Sequence, residues 1–199
     1  MPDDQTASDP LGEFIANLKT LAGRSGDGDE VDSRREDRAA LARLRRCAGR
    51  RLAECVEVYD LFYRLLPPPL VGKDDVEERC FLVATLFALT PYPGGADVGS
   101  ALAAVAKAEP RAADGVERRL HVLLDCSAEE LPFRLRQTVL WLAPRMQEIG
   151  REVWLDWRRL LRDLEEWTHP SRKVQKDWAR QYFSKTREAS DVAPAGAGA

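Results

Sequence analysis

A run of ten almost uninterrupted apolar residues, CFLVATLFAL at 80–89, constrains the fold of this chain more than any other stretch. A helix on a protein surface carries one apolar stripe and one polar face, whereas this run is apolar on every side. It is too short to span a bilayer, which takes about 20 apolar residues. Its length would also suit a buried strand, but the preceding VEER and the two alanines within the run favour a helix. We therefore expect a central helix at 76–90, capped by Asp74 or Asp75, enclosed by other helices and ended by PYPGG.

Apolar residues recur at steps of three and four elsewhere in the chain, which is the period of an amphipathic helix. No segment shows a convincing strand pattern, and no internal repeat is present. The sequence therefore predicts an all-α fold, a compact bundle of about eight or nine helices. An acidic loop is expected at 23–32. Besides the central helix, four helices are expected at 33–55, 54–66, 97–105 and 116–125. Four more are expected to begin at Pro10 and near residues 131, 157 and 170.

The ends of the later helices carry recognisable capping residues. Ser127 and Glu130 fit the S-x-x-E pattern of a capping box, in which each side chain accepts a hydrogen bond from the backbone of the other residue. Asp156 stands directly before an apolar helical pattern and is placed to cap it. Pro144 should kink or end the helix that the capping box starts, and Pro170 suits the start of the last helix.

The chain is mildly acidic, with a net charge of −3 at pH 7, which argues against a globally basic nucleic-acid binder and leaves a local basic surface open. The four cysteines, at 47, 55, 80 and 126, show no CxxC spacing and are expected to be reduced, as in cytosolic proteins. The amino terminus is acidic where a signal peptide would be basic and then apolar. Because no transmembrane segment is expected, the sequence predicts a soluble, cytoplasmic protein without membrane contact.

The residues that usually carry catalysis or bind metals form no recognisable set. His121 and His169, the two histidines, have no partner at metal-ligand spacing. His121 is better explained as a hydrogen-bonded structural residue of an apolar helix, and His169 as an exposed or capping residue in a turn. The acidic run at 26–30 is too short for a calcium loop, and nucleotide-binding and hydrolase motifs are absent from the sequence. We therefore predict that the protein is not an enzyme and holds no cofactor and no metal.

Basic residues are concentrated in two stretches. Residues 33–51 contain eight arginines and two acidic residues, a local charge of +6, and residues 171–187 reach +5. A single basic stripe is usually a solvated helix face, but several stripes in an acidic chain indicate segregated charge, which an electrostatic footprint for phosphates requires. No aromatic platform interleaves with them. We therefore expect contacts to the nucleic-acid backbone without sequence readout.

Helical geometry groups these basic residues, at 100° per residue. One predicted face, within the 33–55 helix, carries Arg43, Arg46 and Arg50. A second predicted face, within the last helix, carries Lys173, Lys176, Arg180 and Arg187. The complete set of candidate nucleic-acid-binding residues is Arg43, Arg45, Arg46, Arg50, Arg118, Arg119, Arg134, Arg136, Arg172, Lys173, Lys176 and Arg180.

The order of several short motifs resembles that of CasB, the small subunit of the type I-E CRISPR surveillance complex Cascade. The resemblance extends from about Leu11 to Thr186, and it depends on the order and spacing of the motifs together, since none of them is diagnostic alone. The matching motifs are LRR (44–46), FLVATLFAL (81–89), G-x-x-x-G-S-A-L (95–102), ERRL (117–120), RLR (134–136), LDWRRLLRDLEEW (155–167) and VQKDWARQYF (174–183).

The resemblance implies a non-catalytic helical protein with two subdomains. We place these at 9–106 and 116–187, with a boundary near 107–115 and a disordered tail at 188–199. It also implies partners, namely the other Cascade subunits and a second copy of the chain in the same complex.

Within such a complex, the resemblance implies that basic residues help to hold the crRNA paired with target DNA, and the displaced DNA strand. The residues that match by position are Arg45, Arg46, Arg118, Arg119, Arg136 and Lys173. In guide-directed recognition, base pairing reads the sequence and the protein supplies backbone contacts in a positive channel. The residues themselves leave one alternative open, a helical adaptor that binds an acidic protein partner through its arginine-rich faces.

Overall fold

The computed structural model of the chain describes residues 9–24 and 31–192. Within these ranges the fold is all-α, as predicted, and its one β-contact is an isolated bridge between Ala96 and Leu155. Four short 3-10 helices connect some of the α-helices. The nine described α-helices are α1 (Pro10–Arg24), α2 (Val31–Arg46), α3 (Tyr59–Leu65), α4 (Asp74–Leu89), α5 (Val98–Ala108), α6 (Ala113–Asp125), α7 (Leu131–Glu148), α8 (Trp157–Glu165) and α9 (Lys173–Val192). No described helix is both long and apolar enough to cross a membrane.

Contacts divide the chain into two compact units, residues 1–91 and 92–199. The sequence-based boundary lay further along the chain, at 107–115. The difference is the placement of α5, which packs against α6 and α9 and therefore belongs to the second unit. The acidic run at 26–30 lies outside the described residues. Of the predicted disordered tail, residues 188–192 form the end of α9 and residues 193–199 lie outside the described part.

Helix α4 is the centre of the first unit, which confirms the interpretation of its apolar run. Every residue from Cys80 to Ala88 is buried, and α1 and α2 pack against the helix. The ring of Phe62 meets that of Phe81 edge-on, with centroids 5.4 Å apart. The capping prediction was wrong, because Lys73 is the N-cap and Asp74 and Asp75 lie inside the first turn. At these positions the two carboxylates still interact favourably with the positive end of the helix dipole.

The predicted 33–55 helix ends early, at Arg46. Gly49 adopts a left-handed conformation with φ of 80°, which a continuous right-handed helix does not accommodate. Short 3-10 turns at Leu52–Glu54 and Val56–Val58 then lead into α3. The apolar period misled the prediction because Leu52 and Cys55 face the core although they lie outside a long helix.

The second unit is organised around the close packing of α5 on α9. Gly99 allows this approach, since a Cβ atom placed there would lie 2.0 Å from the carbonyl oxygen of Trp178. The start of α5 is fixed by Asp97, whose carboxylate accepts hydrogen bonds from the backbone N–H and the hydroxyl of Ser100 at 2.9 and 2.7 Å. Arg159 forms an ion pair with the same carboxylate at 3.2 Å.

Most of the predicted helix ends of the second unit are present. Ser127 and Glu130 exchange the two hydrogen bonds of a capping box, at 3.4 and 3.2 Å, in the turn that leads into α7, whose N-cap is Glu130. The carboxylate of Asp156, the N-cap of α8, accepts a hydrogen bond from the backbone N–H of Arg159 at 2.9 Å. Pro144, expected to kink or end the helix, does not end it, because α7 continues to Glu148. The last helix, α9, begins at Lys173 instead of Pro170.

Candidate nucleic-acid interface

The basic residues of the first unit do not form the continuous helical stripe that the sequence predicted. Because α2 ends at Arg46, Arg50 lies in the following turns and not on the helix. Arg43 donates to Asp60 at 3.2 Å, and this hydrogen bond holds the pKa of the Asp60 carboxyl below its usual value. Arg50 forms an ion pair with Glu57 at 3.6 Å. Two of the predicted phosphate-binding residues are therefore already paired with carboxylates.

Arg45 and Arg46 differ from these two arginines. Arg45 donates through Nε to the carbonyl of Ala88 at 3.0 Å and so satisfies one of the free carbonyls at the end of α4. Arg46 is exposed and makes no hydrogen bond or ion pair with a described residue. Within the first unit, Arg46 is accordingly the candidate best placed to meet an external anion.

The basic face of α9 exists as predicted. Its four residues lie on a single helix and all are exposed: Lys173, Lys176, Arg180 and Arg187. Lys173 forms an ion pair with Glu166 at 2.6 Å, and this contact lowers the pKa of the Glu166 carboxyl. Arg180 pairs with Asp177 one turn away on the same helix. Lys176 makes no side-chain bond to a described residue. Arg172, just before α9, donates to the carbonyl of Leu124.

Three of the four remaining candidates line a groove between α6 and α7, which we call the arginine groove. It has a volume of about 240 Å³ and is lined by Gly115, Arg118, Arg119, Val122, Leu123, Arg134, Gln137 and Thr138. Arg118 is exposed, while Arg119 and Arg134 are half-buried. The Nε atoms of Arg119 and Arg134 are buried without a hydrogen-bond partner among the described residues. Arg136 is half-buried on the same helix as Arg134.

Aromatic rings accompany these arginines, contrary to the expectation that no aromatic platform interleaves with the basic residues. The guanidinium groups of Arg119 and Arg145 lie 4.8 and 3.8 Å from the ring centre of Trp141, and Arg145 is also paired with Glu109 at 2.9 Å. Burial and the nearby Arg145 lower the pKa of Arg119. Phe133 is 50% exposed beside Arg134. A cation held over an aromatic face in this way is stabilised by the ring.

Some of these contacts between arginines and aromatic rings could have been predicted from the sequence. Trp141 and Arg145 are separated by four residues, so their contact on one helix was predictable. The contact of Arg119 with Trp141 joins two helices, and no local pattern indicates it. Phe183, which is 42% exposed, lies next to the basic face of α9 and lines a shallow depression together with Arg180 and Arg187.

The histidines take no part in a catalytic arrangement among the described residues. The Nδ1 atom of His169 accepts from the backbone N–H of Ser171 at 3.2 Å, so this side chain closes the turn before α9, as expected of a capping residue. His121 is exposed, and its ring contacts that of Phe183 with centroids 6.2 Å apart. It was expected to be hydrogen-bonded, but the contact we observe is between rings.

The fold and the surface together define an all-helical protein with basic residues exposed on its surface. Some of its arginines lie over aromatic rings, and guanidinium groups bind oxyanions such as phosphate. The family model described as CRISPR-associated protein Cse2 matches residues 40–183 of the chain. The chain therefore belongs to the Cse2 family of CRISPR-associated proteins. This confirms the resemblance to CasB.

Individual relatives agree with this assignment. The CRISPR-associated protein Cse2 of Thermus thermophilus is 37% identical over 119 residues, which are 58% of this chain and 64% of the relative's length. The crystal structure of CasB from Thermus thermophilus has 28% identity and a TM-score of 0.61, covering 89% of this chain and 99% of that one. A chain of a CRISPR RNA-guided surveillance complex shares the fold, with a TM-score of 0.65 at 24% identity over 91% of this chain and 99% of that one.

Proposed function

We propose that this chain is a non-catalytic subunit of a type I-E Cascade complex in the cytoplasm. Its basic residues would contact the phosphates of the crRNA–target DNA heteroduplex and of the displaced strand. The observation that carries this proposal is the placement of basic residues at exposed positions of α2, α6 and α9, several of them without an acidic partner among the described residues. Membership of the Cse2 family and the likeness of the fold to a chain of a surveillance complex support the same role.

The chemistry of these surfaces suits backbone contact better than base readout. Guanidinium and ammonium groups bind phosphate oxygens through charge-assisted hydrogen bonds. Three arginines line the arginine groove, Arg118, Arg119 and Arg134, so the groove offers several donors to a phosphate group. The exposed rings of Phe133 and Phe183 add apolar surface on which unpaired bases can stack. The proposed ligands are therefore the crRNA–DNA heteroduplex backbone and single-stranded DNA.

The proposal includes the other Cascade subunits and a second copy of this chain as partners. Co-expression with those subunits and a crRNA should recover the chain in a nuclease-sensitive complex that contains two copies. Recovery of the same partners from a preparation free of nucleic acid would instead favour a helical adaptor that binds acidic proteins. Carboxylates and phosphates both pair with arginine, so this comparison is needed to separate the two.

Charge reversal tests the surface directly. The variant Arg46→Glu/Arg118→Glu/Lys176→Glu changes three exposed basic residues that form no ion pair with a described residue. We expect weaker binding to duplex and single-stranded DNA of any sequence, measured by fluorescence anisotropy over a salt series. Each phosphate that the variant no longer neutralises should reduce the log–log salt slope by about 0.9 on duplex or about 0.7 on single strands.

A matched control separates position from net charge. The variant Arg64→Glu/Lys107→Glu/Arg111→Glu produces the same change in net charge at three exposed basic residues outside the candidate set. It should bind nucleic acid nearly as well as the wild type, because long-range effects of exposed charges are screened beyond about 10 Å at moderate salt. Equal losses of affinity in both triple variants, with unchanged melting temperatures, would show that the candidate residues have no special role.

A further inference from the structure

Three potential metal ligands come together in the turns between α2 and α3. The thiol sulfurs of Cys47 and Cys55 and a carboxylate oxygen of Glu57 all lie within 4.8 Å of one another. The sulfur of Cys47 is 3.6 Å from Oε1 of Glu57. Both cysteines are fully buried, whereas Glu57 is exposed, so the cluster has a protected end and an end open to solvent.

These separations are close to those of a metal-bound set. Zinc binds thiolate sulfur at about 2.3 Å and carboxylate oxygen at about 2.0–2.2 Å in tetrahedral geometry, which places sulfur and oxygen ligands roughly 3.6 Å apart. The observed distance between Cys47 and Glu57 already has this value. The two separations that involve Cys55 are at most 4.8 Å, so a movement of its sulfur by about 1 Å would complete the set.

Several contacts that do not use the three ligand side chains hold the backbone that carries them. Gly49, with φ of 80°, reverses the chain after Cys47. The N–H of Leu52 donates to the carboxylate of Glu78 at 3.1 Å, which anchors the turn to α4. The N–H of Arg51 donates to Glu54 at 3.1 Å. The three ligands are therefore positioned before any ion arrives, which lowers the entropic cost of binding.

The donor set and its charge select the kind of ion. Two sulfurs favour zinc and other thiophilic cations over calcium and magnesium, which prefer sets made of oxygen alone. Two thiolates and a carboxylate carry three negative charges, so the complex with a divalent ion has a net charge of −1. Arg50, whose Nη1 lies 3.6 Å from Oε1 of Glu57, is placed to offset that remaining charge.

We propose that Cys47, Cys55 and Glu57 bind one Zn²⁺ ion per chain, with a water molecule as the fourth ligand on the exposed side of Glu57. On binding, each thiol releases its proton to solvent and its sulfur forms a bond to the metal. No oxidant is required. The ion would fasten the turn between α2 and α3, and this role is independent of the proposed contacts with nucleic acid. The sequence predicted no metal at this position.

The proposal is tested on the full-length chain, reduced and freed of metal. Cobalt(II) is used as a spectroscopic substitute for zinc, and its titration should produce a sulfur-to-cobalt charge-transfer band that saturates at one equivalent. Adding zinc should abolish the band, and zinc should raise the melting temperature. The variant Cys55→Ser should lose the band, while Cys126→Ser, which changes a cysteine of the second unit, should retain it.

The contribution of the carboxylate needs a variant that folds without difficulty. Glu57 is exposed, so Glu57→Gln should leave the fold intact and weaken zinc binding at least about tenfold, since even changes next to a metal ligand cost 10–100-fold. Glu36→Gln removes the same charge from an exposed carboxylate of α2 that is not one of the three ligands, and it should bind one zinc as the wild type does. The proposal is overturned if the wild type gives no charge-transfer band, if Cys55→Ser keeps it, or if Glu57→Gln binds zinc as tightly as the wild type.

Discussion

Replacing Gly99 with alanine should disrupt the packing of α5 on α9. The added Cβ atom would lie 2.0 Å from the carbonyl oxygen of Trp178, whereas real Cβ atoms essentially never approach a neighbour closer than 3.0 Å. That oxygen belongs to the backbone of a helix, so it cannot move aside as a flexible side chain can. The two helices must therefore separate, by about 1 Å, and a gap of that size already forfeits a quarter to a half of each affected van der Waals contact.

The expected loss of stability follows from the usual cost of overpacking. Overpacking of a core costs about 1–3 kcal/mol, and here the strain falls on the backbones of two packed helices, α5 and α9. We expect Gly99→Ala to lower the free energy of unfolding by about 3 kcal/mol. For a unit of this size such a loss lowers the melting temperature by about 10 °C or more.

Tryptophan fluorescence is the assay, because all five tryptophans lie in residues 141–178 and so report on the second unit alone. Gly115→Ala is the matched control. A Cβ atom on Gly115, in α6, meets nothing within 4 Å. The same substitution there should stabilise the unit by about 0.4–1 kcal/mol, since alanine restricts the unfolded chain more than glycine does. If Gly99→Ala melts at the wild-type temperature, or if the two variants shift in the same direction, the steric argument fails.

Two further predictions concern one buried and one half-buried side chain. Phe87→Ala, in the fully buried centre of α4, should cost about 3–5 kcal/mol, measured as a shift of the denaturation midpoint by far-UV circular dichroism; an unchanged midpoint would mean that α4 is not central. Burial raises the pKa of the Asp163 carboxyl above its ordinary value of 3.8, so its contribution to stability is full below that pH and is lost as pH rises through the higher folded-state value. Asp163→Asn cannot ionise, and it keeps an oxygen to accept from Trp178. It should therefore gain stability relative to the wild type between acid and neutral pH, and parallel pH profiles of the melting temperature would contradict this.

The sequence predicted the helices well where local rules decide them. The all-round apolar character of 80–89 identified the buried helix, and the caps at Ser127, Glu130 and Asp156 identified two helix starts. It failed at the end of α2, because the conformation of Gly49 is decided by turns that bring Leu52 and Cys55 back to the core. A periodic pattern records which residues are buried, but it does not record whether the chain between them is one helix.

The sequence could predict which basic residues belong to the candidate site, but it could not predict which partners they contact. Local charge counts located the basic face of α9, since those residues share one helix. They could not show that Arg43 and Arg50 meet carboxylates from a later part of the chain, because such pairs join residues 17 and 7 positions apart. For the same reason the stacking of Arg119 on Trp141 was invisible in the sequence.

An ion pair with a carboxylate weakens the attraction of a basic residue for a phosphate. At an exposed position the residue nevertheless remains able to bind one. The pair of Lys173 and Glu166 is about half exposed on both sides, and such pairs are worth about 0–1 kcal/mol, so a phosphate can displace the carboxylate. The carboxylate mainly weakens the local field. Glu166→Gln should therefore strengthen binding to single-stranded DNA and steepen its salt dependence. Glu152→Gln, at an exposed acid without a basic partner among the described residues, makes the same charge change and should have a smaller effect. Equal affinities for both variants in a salt series would mean that Lys173 does not contact phosphate.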